Sequence, residues 1–252
     1  YSHEELRSMP ASDLHPHNIG RFMEFADRVL REGEGWTDDI TCYCKSGDII
    51  PAEMSASVIE LDGRPLIRRL HPLLPADRAD DYCRRLCAEL PWSQPAVEVY
   101  GRHYPVPRLQ SWHGDPEAEY RYSGLTLTPE PWHPLLADLR ARIEGVCGTR
   151  FNSVLANLYR DGRDCMGWHA DDEPELGPEP RVASLSLGAE RDFALRRKGD
   201  TRMAFQWPLA HNELWLMEPG LQHHWQHSLP RRKRVQRARL NLTFRWVQPP
   251  PG

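Results

Sequence analysis

The stretch "RARLNLTFRW", Arg237 to Trp246, decides the fold. Arg239, Asn241, Thr243 and Arg245 alternate strictly with Leu240, Leu242 and Phe244. A β-strand points successive side chains to opposite faces, so this period puts two guanidinium groups, an amide and a hydroxyl on one face and the apolar side chains on the other. The polar face either meets solvent or needs an anion, because an unpaired buried charge is expensive. No acidic residue alternates with the arginines, which favours an anion from outside the strand. A small dicarboxylate matches the bidentate forks of arginine.

Comparable short runs precede it: "SVLANLYR" (153–160), "VASLSLG" (182–188), "DFALRRK" (192–198), "ELWLMEP" (213–219) and "HHWQHSL" (223–229). Many short strands joined by loops predict a sandwich or jelly roll. Helices support it. "ADRADDYCRRLCAEL" (76–90) carries Tyr82, Leu86 and Leu90 on one stripe, and "PLLADLRARIEGVCG" (134–148) carries Leu135, Leu136, Leu139 and Ile143, ended by Gly145 and Gly148. The fold class is therefore α+β. Residues 76–252 form the main domain, preceded over 1–75 by a small α+β module. That module reads as a helix at about Arg21–Glu32 and three antiparallel strands within Trp36–Leu70, with "KSGD" and "LDGR" as hairpin turns. It resembles the C-terminal half of a PAS-type sensor domain and implies an accessory interaction module.

The 252 residues are 40% hydrophobic, enough for a sizeable core, and no run is long and apolar enough for a membrane span. No signal peptide is recognised at the start, and Tyr1 is not an initiator methionine. Cys42 and Cys44 stand one residue apart, Cys83 and Cys87 a helical turn apart, and Cys147 and Cys165 alone. Reduced, packing thiols in an intracellular protein are expected: cytoplasmic in a bacterium, nuclear in a eukaryote. The net charge of −4 does not suggest a polyanion partner, but residues 191–239 hold 11 Lys and Arg against 4 Asp and Glu, a local excess of +7. Such a segment suits phosphate contact, although a solvated face is the ordinary meaning of a charge run.

"GWHADDEPELG" (167–177) is too polar for a core. His169 and Asp171, two apart on an extended chain, face the same way and can share one ion. A further histidine would complete a two-His, one-carboxylate facial triad with open positions on Fe(II), and "LQHHWQHSLP" offers His223, His224 and His227. Alone, an H-x-D pair also reads as surface polarity.

"NLYRDGRDCMGWHADDE", "PRVASLSLGAERDF", "HHWQHSLP" and "RARLNLTFRW" together resemble the AlkB family of Fe(II)/2-oxoglutarate dioxygenases over residues 95–247. The resemblance implies a double-stranded β-helix, with Fe(II), 2-oxoglutarate as co-substrate and O2. Its iron ligands become His169, Asp171 and His227. Asn157, Tyr159, Arg239, Asn241, Thr243 and Arg245 become the 2-oxoglutarate shell, with Arg239 on the distal carboxylate and Arg245 nearer the metal. His223 and His224 then line the rim or pack.

The activity implied is oxidative demethylation of N-alkylated bases such as 1-methyladenine and 3-methylcytosine in DNA, with succinate, carbon dioxide and formaldehyde as products. A paired base must be flipped out to reach a buried iron. By the same resemblance Trp112 and Tyr122 line the base pocket, Tyr100 takes the wedge position where phenylalanine is expected, and Asp172 and Glu173 accept hydrogen bonds from an exocyclic amine. The loop holding Arg231, Arg232, Lys233, Arg234 and Arg237 would meet phosphates, extended by Arg108, Arg191, Arg196, Arg197 and Lys198. Single- or double-stranded alkylated DNA is the expected partner, with RNA as an alternative. A monomer with no membrane partner is expected. An RNA demethylase, a hydroxylase of a protein or small molecule, or a regulatory module with a residual iron site are the competing readings.

Overall fold

The structure is a computed structural model. It describes residues 1, 2, 5, 20, 21, 24, 25, 28, 34–57, 60, 61, 64–70, 72–99, 101–122 and 125–248, of which 34–36, 40, 52–57, 60, 61, 64, 65, 70, 97–99, 102, 120–122 and 125–127 are described by backbone alone. Two compact units divide the chain, Tyr1–Ile67 and Arg68–Gly252.

In the first unit, β1 (Glu34–Tyr43) and β2 (Ile49–Ser57) form an antiparallel hairpin. Its turn follows "KSGD", where Gly47 takes a φ of 92° that a residue with a Cβ rarely adopts. β3 (Glu60–Leu61) and β4 (Arg64–Pro65) make a separate two-residue ladder. The helix expected over Arg21–Glu32 lies mostly outside the described residues. The third strand expected after "LDGR" does not pair with β1 or β2. It begins as β4, whose pairing with β3 is the hairpin expected there, and continues as β5 (Ile67–Leu70), an edge of the large sheet of the following unit. Arg68 and Arg69 hold it there through Glu218 and Glu213.

The second unit is a sandwich. Its strands are β6 (Ala96–Val99), β7 (Arg102–Pro105), β8 (Leu109–Gly114), β9 (Tyr120–Tyr122), β10 (Leu125–Leu127), β11 (Ser153–Tyr159), β12 (Met166–His169), β13 (Val182–Gly188), β14 (Arg191–Arg197), β15 (Phe205–Leu209), β16 (Glu213–Met217), β17 (Trp225–Leu229) and β18 (Arg239–Arg245). One sheet has the order β5-β16-β13-β18-β11-β8 and the other β12-β17-β14-β15. The pairs β6/β7 and β9/β10 stand apart as hairpins. This is the jelly-roll arrangement expected.

Helices α1 (Ala76–Glu89) and α2 (Pro134–Cys147) cover one face of the larger sheet. Proline at the first turn and the His133 side chain, which accepts from the Leu135 N–H, start α2. Gly148, at a φ of 66°, ends it; the helix runs straight through Gly145, the earlier of the two stops expected. Tyr82, Leu86, Leu136, Leu139 and Ile143 pack in one cluster with Val154, Ala156, Leu185, Leu240, Leu242 and Phe244. Full burial of each such side chain contributes about 1.5–3 kcal/mol. Because that apolar set occupies alternate positions, the register fixes the other set, Arg239 to Arg245, on the inner face toward the smaller sheet. Among the described residues no helix is long and apolar enough to cross a membrane.

Candidate metal centre

A cavity opens between the two sheets, lined by His169, Asp171 and His227 on one side and by Asn157, Tyr159, Arg239, Asn241, Thr243 and Arg245 on the other. His169 ends β12 and pairs directly with His227 on β17, so two antiparallel strands bring the imidazoles together with ring centroids 4.2 Å apart. Asp171 is not part of the strand. It lies in the following bend, where its N–H leaves the ladder and donates to Gln222 Oε1 at 2.9 Å. Gln222 is fully buried in a short helix, α3 (Pro219–His224), where the sequence pattern suggests the start of a strand. That helix turns His223 and His224 out to solvent and leaves His227 as the histidine of the site.

One ligand atom from each of His169, Asp171 and His227 lies within 4.8 Å of the others, and His227 Nε2 is 3.7 Å from Asp171 Oδ2. The three are thus placed to share one ion between them. Asp171 Oδ2 is buried without a hydrogen-bond partner, an arrangement that costs free energy unless a cation completes it. The donor set, two imidazoles and one carboxylate, fits Fe(II). His169 Nδ1 donates to the Gly167 carbonyl at 3.0 Å, which leaves Nε2 as the free lone pair. Burial, with His169 alongside, pushes the His227 imidazole down to about 3 and keeps it neutral. Burial would raise the Asp171 carboxyl, but the charge and hydrogen bond of Arg245 above all outweigh it and hold it down to about 2.

The opposite wall is the polar face of β18. Arg239 is 2% exposed and donates to Ser186 Oγ at 2.8 Å and Asn241 Oδ1 at 2.7 Å, yet no carboxylate of the described residues pairs with it and its Nε is buried without a partner. Burial pushes this guanidinium down to about 10. A cation so placed calls for an anion in the cavity. The Tyr159 ring is flanked by two guanidinium groups, Arg239 at 5.4 Å and Arg191 at 5.9 Å. Asn241 Nδ2 donates to Thr243 Oγ1 at 2.7 Å, and Ser184 Oγ donates to Asn241 Oδ1 at 2.9 Å. Arg245 bridges the walls by pairing with Asp171 Oδ1. The solvent-facing alternative for this strand is thus excluded.

Two arginines expected at the phosphate-facing surface are buried instead. Arg108 Nε donates to Asn157 Oδ1 at 2.9 Å and so orients a cavity residue. Arg191 donates to the carbonyls of Asp161, Asp164 and Pro230 and braces the loops below the site. Arg196 lies over Trp168 at 4.6 Å and Arg197 over Trp225 at 5.2 Å. Lys198 pairs with the exposed Asp172, and Glu173 is exposed beside it. Trp112 pairs across β8 with Leu155, which lines the cavity, so it stands on the same face. Tyr122 is described by its backbone in β9, and Tyr100 lies outside the described residues. Arg231, Lys233, Arg234 and Arg237 are exposed. Arg232 is held by Asp192 and Gln206. Gln222, Ser184, Ser186 and Phe193 are site residues that the sequence does not single out; only the two serines leave a signal, at period two in "VASLSLG".

The family described as "2OG-Fe(II) oxygenase superfamily" matches residues 67–245. The chain is 48% identical over 160 residues to DNA oxidative demethylase ALKBH2 of Mus musculus, covering 61% of this chain and 67% of that one. Against ALKBH2 of Homo sapiens it is 46% identical over 159 residues, 60% of each. To alpha-ketoglutarate-dependent dioxygenase alkB homolog 3 of Homo sapiens it is 43% identical over 182 residues, 69% of this chain and 63% of that one. The chain therefore spans about two thirds or less of the length of these relatives. The solved structure of OsALKBH1 superimposes with a TM-score of 0.53 at 20% identity, covering 72% of this chain and 98% of that one, a likeness of fold. With the match spanning both sheets and all three candidate ligands, the chain belongs to the AlkB family of 2OG-Fe(II) oxygenases.

Proposed function

We propose that this chain removes alkyl groups from nucleic-acid bases, 1-methyladenine and 3-methylcytosine in DNA first among them, by oxidative demethylation with 2-oxoglutarate as co-substrate. One observation carries the reading: an unpartnered carboxylate oxygen beside two imidazoles faces, across one cavity, a buried arginine that no carboxylate of the described residues pairs with. The names of the ALKBH2 relatives supply the substrate class.

Iron held at this site would supply oxygen activation and, with 2-oxoglutarate, oxidation of an N-alkyl C–H bond. The chain's own groups do the rest. His169 is fixed in one tautomer by Gly167, and Gln222 sets the position of Asp171. Arg245 occupies Oδ1 of Asp171 and leaves Oδ2 for the metal. Arg239 would receive the distal carboxylate of the co-substrate, with Asn157, Tyr159, Asn241 and Thr243 fixing the remainder. Leu155, Phe193, Leu209 and Leu229 line the cavity and exclude water. No side chain has to act as general base.

At the mouth, Trp112 and Tyr122 would hold an extruded base, Asp172 and Glu173 would meet its exocyclic amine, and Tyr100 would fill the vacated stack. The exposed Arg231, Lys233, Arg234 and Arg237 would meet phosphates, which position a strand without reading its sequence. We assign the chain an intracellular, monomeric setting. The test is formaldehyde release from 3-methylcytosine and 1-methyladenine oligonucleotides, in DNA and RNA, with Fe(II), ascorbate and 2-oxoglutarate. Release from methylated DNA that vanishes in His169→Ala supports the proposal; no release from any of the panel sinks it.

A further inference from the structure

Four aromatic rings run in contact from the metal site to the surface, and the proposed reaction makes no use of them as a series. Phe193 stacks on His227 at 5.3 Å between centroids with planes 19° apart, and Trp215 lies 5.1 Å from Phe193. Trp207 follows at 6.1 Å from Trp215, then Phe205 at 5.3 Å from Trp207, with Phe205 41% exposed. They come from β14, β16 and β15, so strands of both sheets contribute. Packing alone would be served as well by aliphatic side chains.

What singles out the series is its chemistry. Indoles give up an electron readily, whereas benzene rings serve only as bridges at contact distance. Trp215 Nε1 donates to Glu213 Oε1 at 2.9 Å, and Glu213 is 1% exposed. An indole that has lost an electron becomes a strong acid, and the carboxylate already bonded to its N–H is placed to take the proton. Arg69, 5.5 Å from the Trp215 ring, would oppose this oxidation, but the same Glu213 neutralises it.

We propose that this series is a protective electron conduit, a conclusion that rests on reading the triad as an iron site. When oxygen is activated with no alkylated base in reach, the metal centre is left short of an electron. Trp215 supplies one through Phe193, and its Nε1 proton passes to Glu213. Trp207 then reduces the Trp215 radical, Glu213 returns the proton, and the hole sits on Trp207. A one-electron reductant of the ascorbate class fills it at the surface and releases its own proton to water. The net change is one electron from the reductant to the metal centre, with every side chain restored.

The test uses the whole chain loaded anaerobically with Fe(II) and 2-oxoglutarate, complex formation being read by its absorbance before oxygen is added. Rapid mixing with oxygen, without nucleic acid, is followed by freeze-quench EPR and by peptide mass spectrometry. An indolyl radical is expected in the wild type and lost in Trp215→Phe. Trp207→Phe, at a partly exposed position where folding is safe, should keep a longer-lived radical. In both variants oxidation should shift to cavity-lining residues, and inactivation by uncoupled turnover should be severalfold faster. A complex that forms yet shows no radical and equal inactivation in all three proteins overturns the conduit alone. Failure of the complex to form overturns the iron reading, and the conduit with it.

Discussion

Replacing Arg239 with methionine, a neutral side chain of similar length, separates binding from stability. In the folded protein burial lowers this guanidinium well below its ordinary value, to about 10. At about 1.4 kcal/mol per pK unit the charge costs about 3 kcal/mol in the absence of an anion. The sign follows from the direction: a base with a depressed folded pKa carries its full penalty below that pKa, hence throughout the neutral range, and loses it only as pH climbs from about 10 toward the ordinary guanidinium value. Methionine removes that penalty but forfeits the bonds to Ser186 and Asn241, about 1 kcal/mol each. The ligand-free variant should therefore unfold at the same temperature as the wild type or slightly higher. Binding goes the other way. A carboxylate left facing no cation in a buried site loses about 3–5 kcal/mol, about two to three and a half decades in affinity. Differential scanning fluorimetry with and without 2-oxoglutarate, in Mn(II) to prevent turnover, reads both quantities. The wild type should gain several degrees on adding 2-oxoglutarate and the variant none. A variant that melts well below the wild type and still responds to 2-oxoglutarate would show that Arg239 serves stability and not the anion.

Metal-free protein should lose stability as pH falls from 6.5 toward 3, because an unfolded imidazole takes a proton that buried His227, with a pKa of about 3, refuses. Asp171 adds to this lower down: its contribution is present above 3.8 and disappears as pH drops through about 2. Urea midpoints at pH 7.5 and 5 check the first part; equal midpoints contradict it. Gly162→Ala should displace the basic loop, since a Cβ there would lie 1.7 Å from the Arg232 carbonyl oxygen. Weakened binding of methylated oligonucleotides with 2-oxoglutarate binding intact is the expected pattern, by fluorescence polarisation and calorimetry. Joint replacement of Arg231, Lys233 and Arg234 by alanine should flatten the salt dependence of duplex binding, by about 0.9 in log–log slope for each phosphate no longer neutralised; an unchanged slope would place the nucleic acid elsewhere. Leu139→Ala, in a fully buried position, should destabilise by about 2–5 kcal/mol in urea titration without changing the affinity for 2-oxoglutarate.

Alternation makes β11, β13 and β18 legible, because both faces of those strands are buried and each face imposes its own chemistry. The α1 and α2 stripes are legible for the same reason. Pattern fails where local geometry rather than burial decides. "LQHH" has no signal against continuing the strand, and only Pro219 and Gly220 mark the helical turn that carries Gln222. β15 contains Pro208, which is tolerated because the strand is an edge. Arg108 and Arg191 read as surface charge since arginine is usually solvated; their partners, the Asn157 amide and three carbonyls, come from distant parts of the chain. The candidate iron ligands come together as the set expected, but Asp171 reaches the centre from a bend rather than the strand.

The central place of β18 sets an order on biosynthesis. A ribosome delivers residue 169 first, residue 227 later and residues 239–245 later still, and the last of these must slot between two strands that already exist. A nascent polypeptide can thus own both imidazoles while lacking the cationic wall proposed to retain the diacid. On the proposed function, a half-made molecule would lack the means to hold its co-substrate until this strand zips into place.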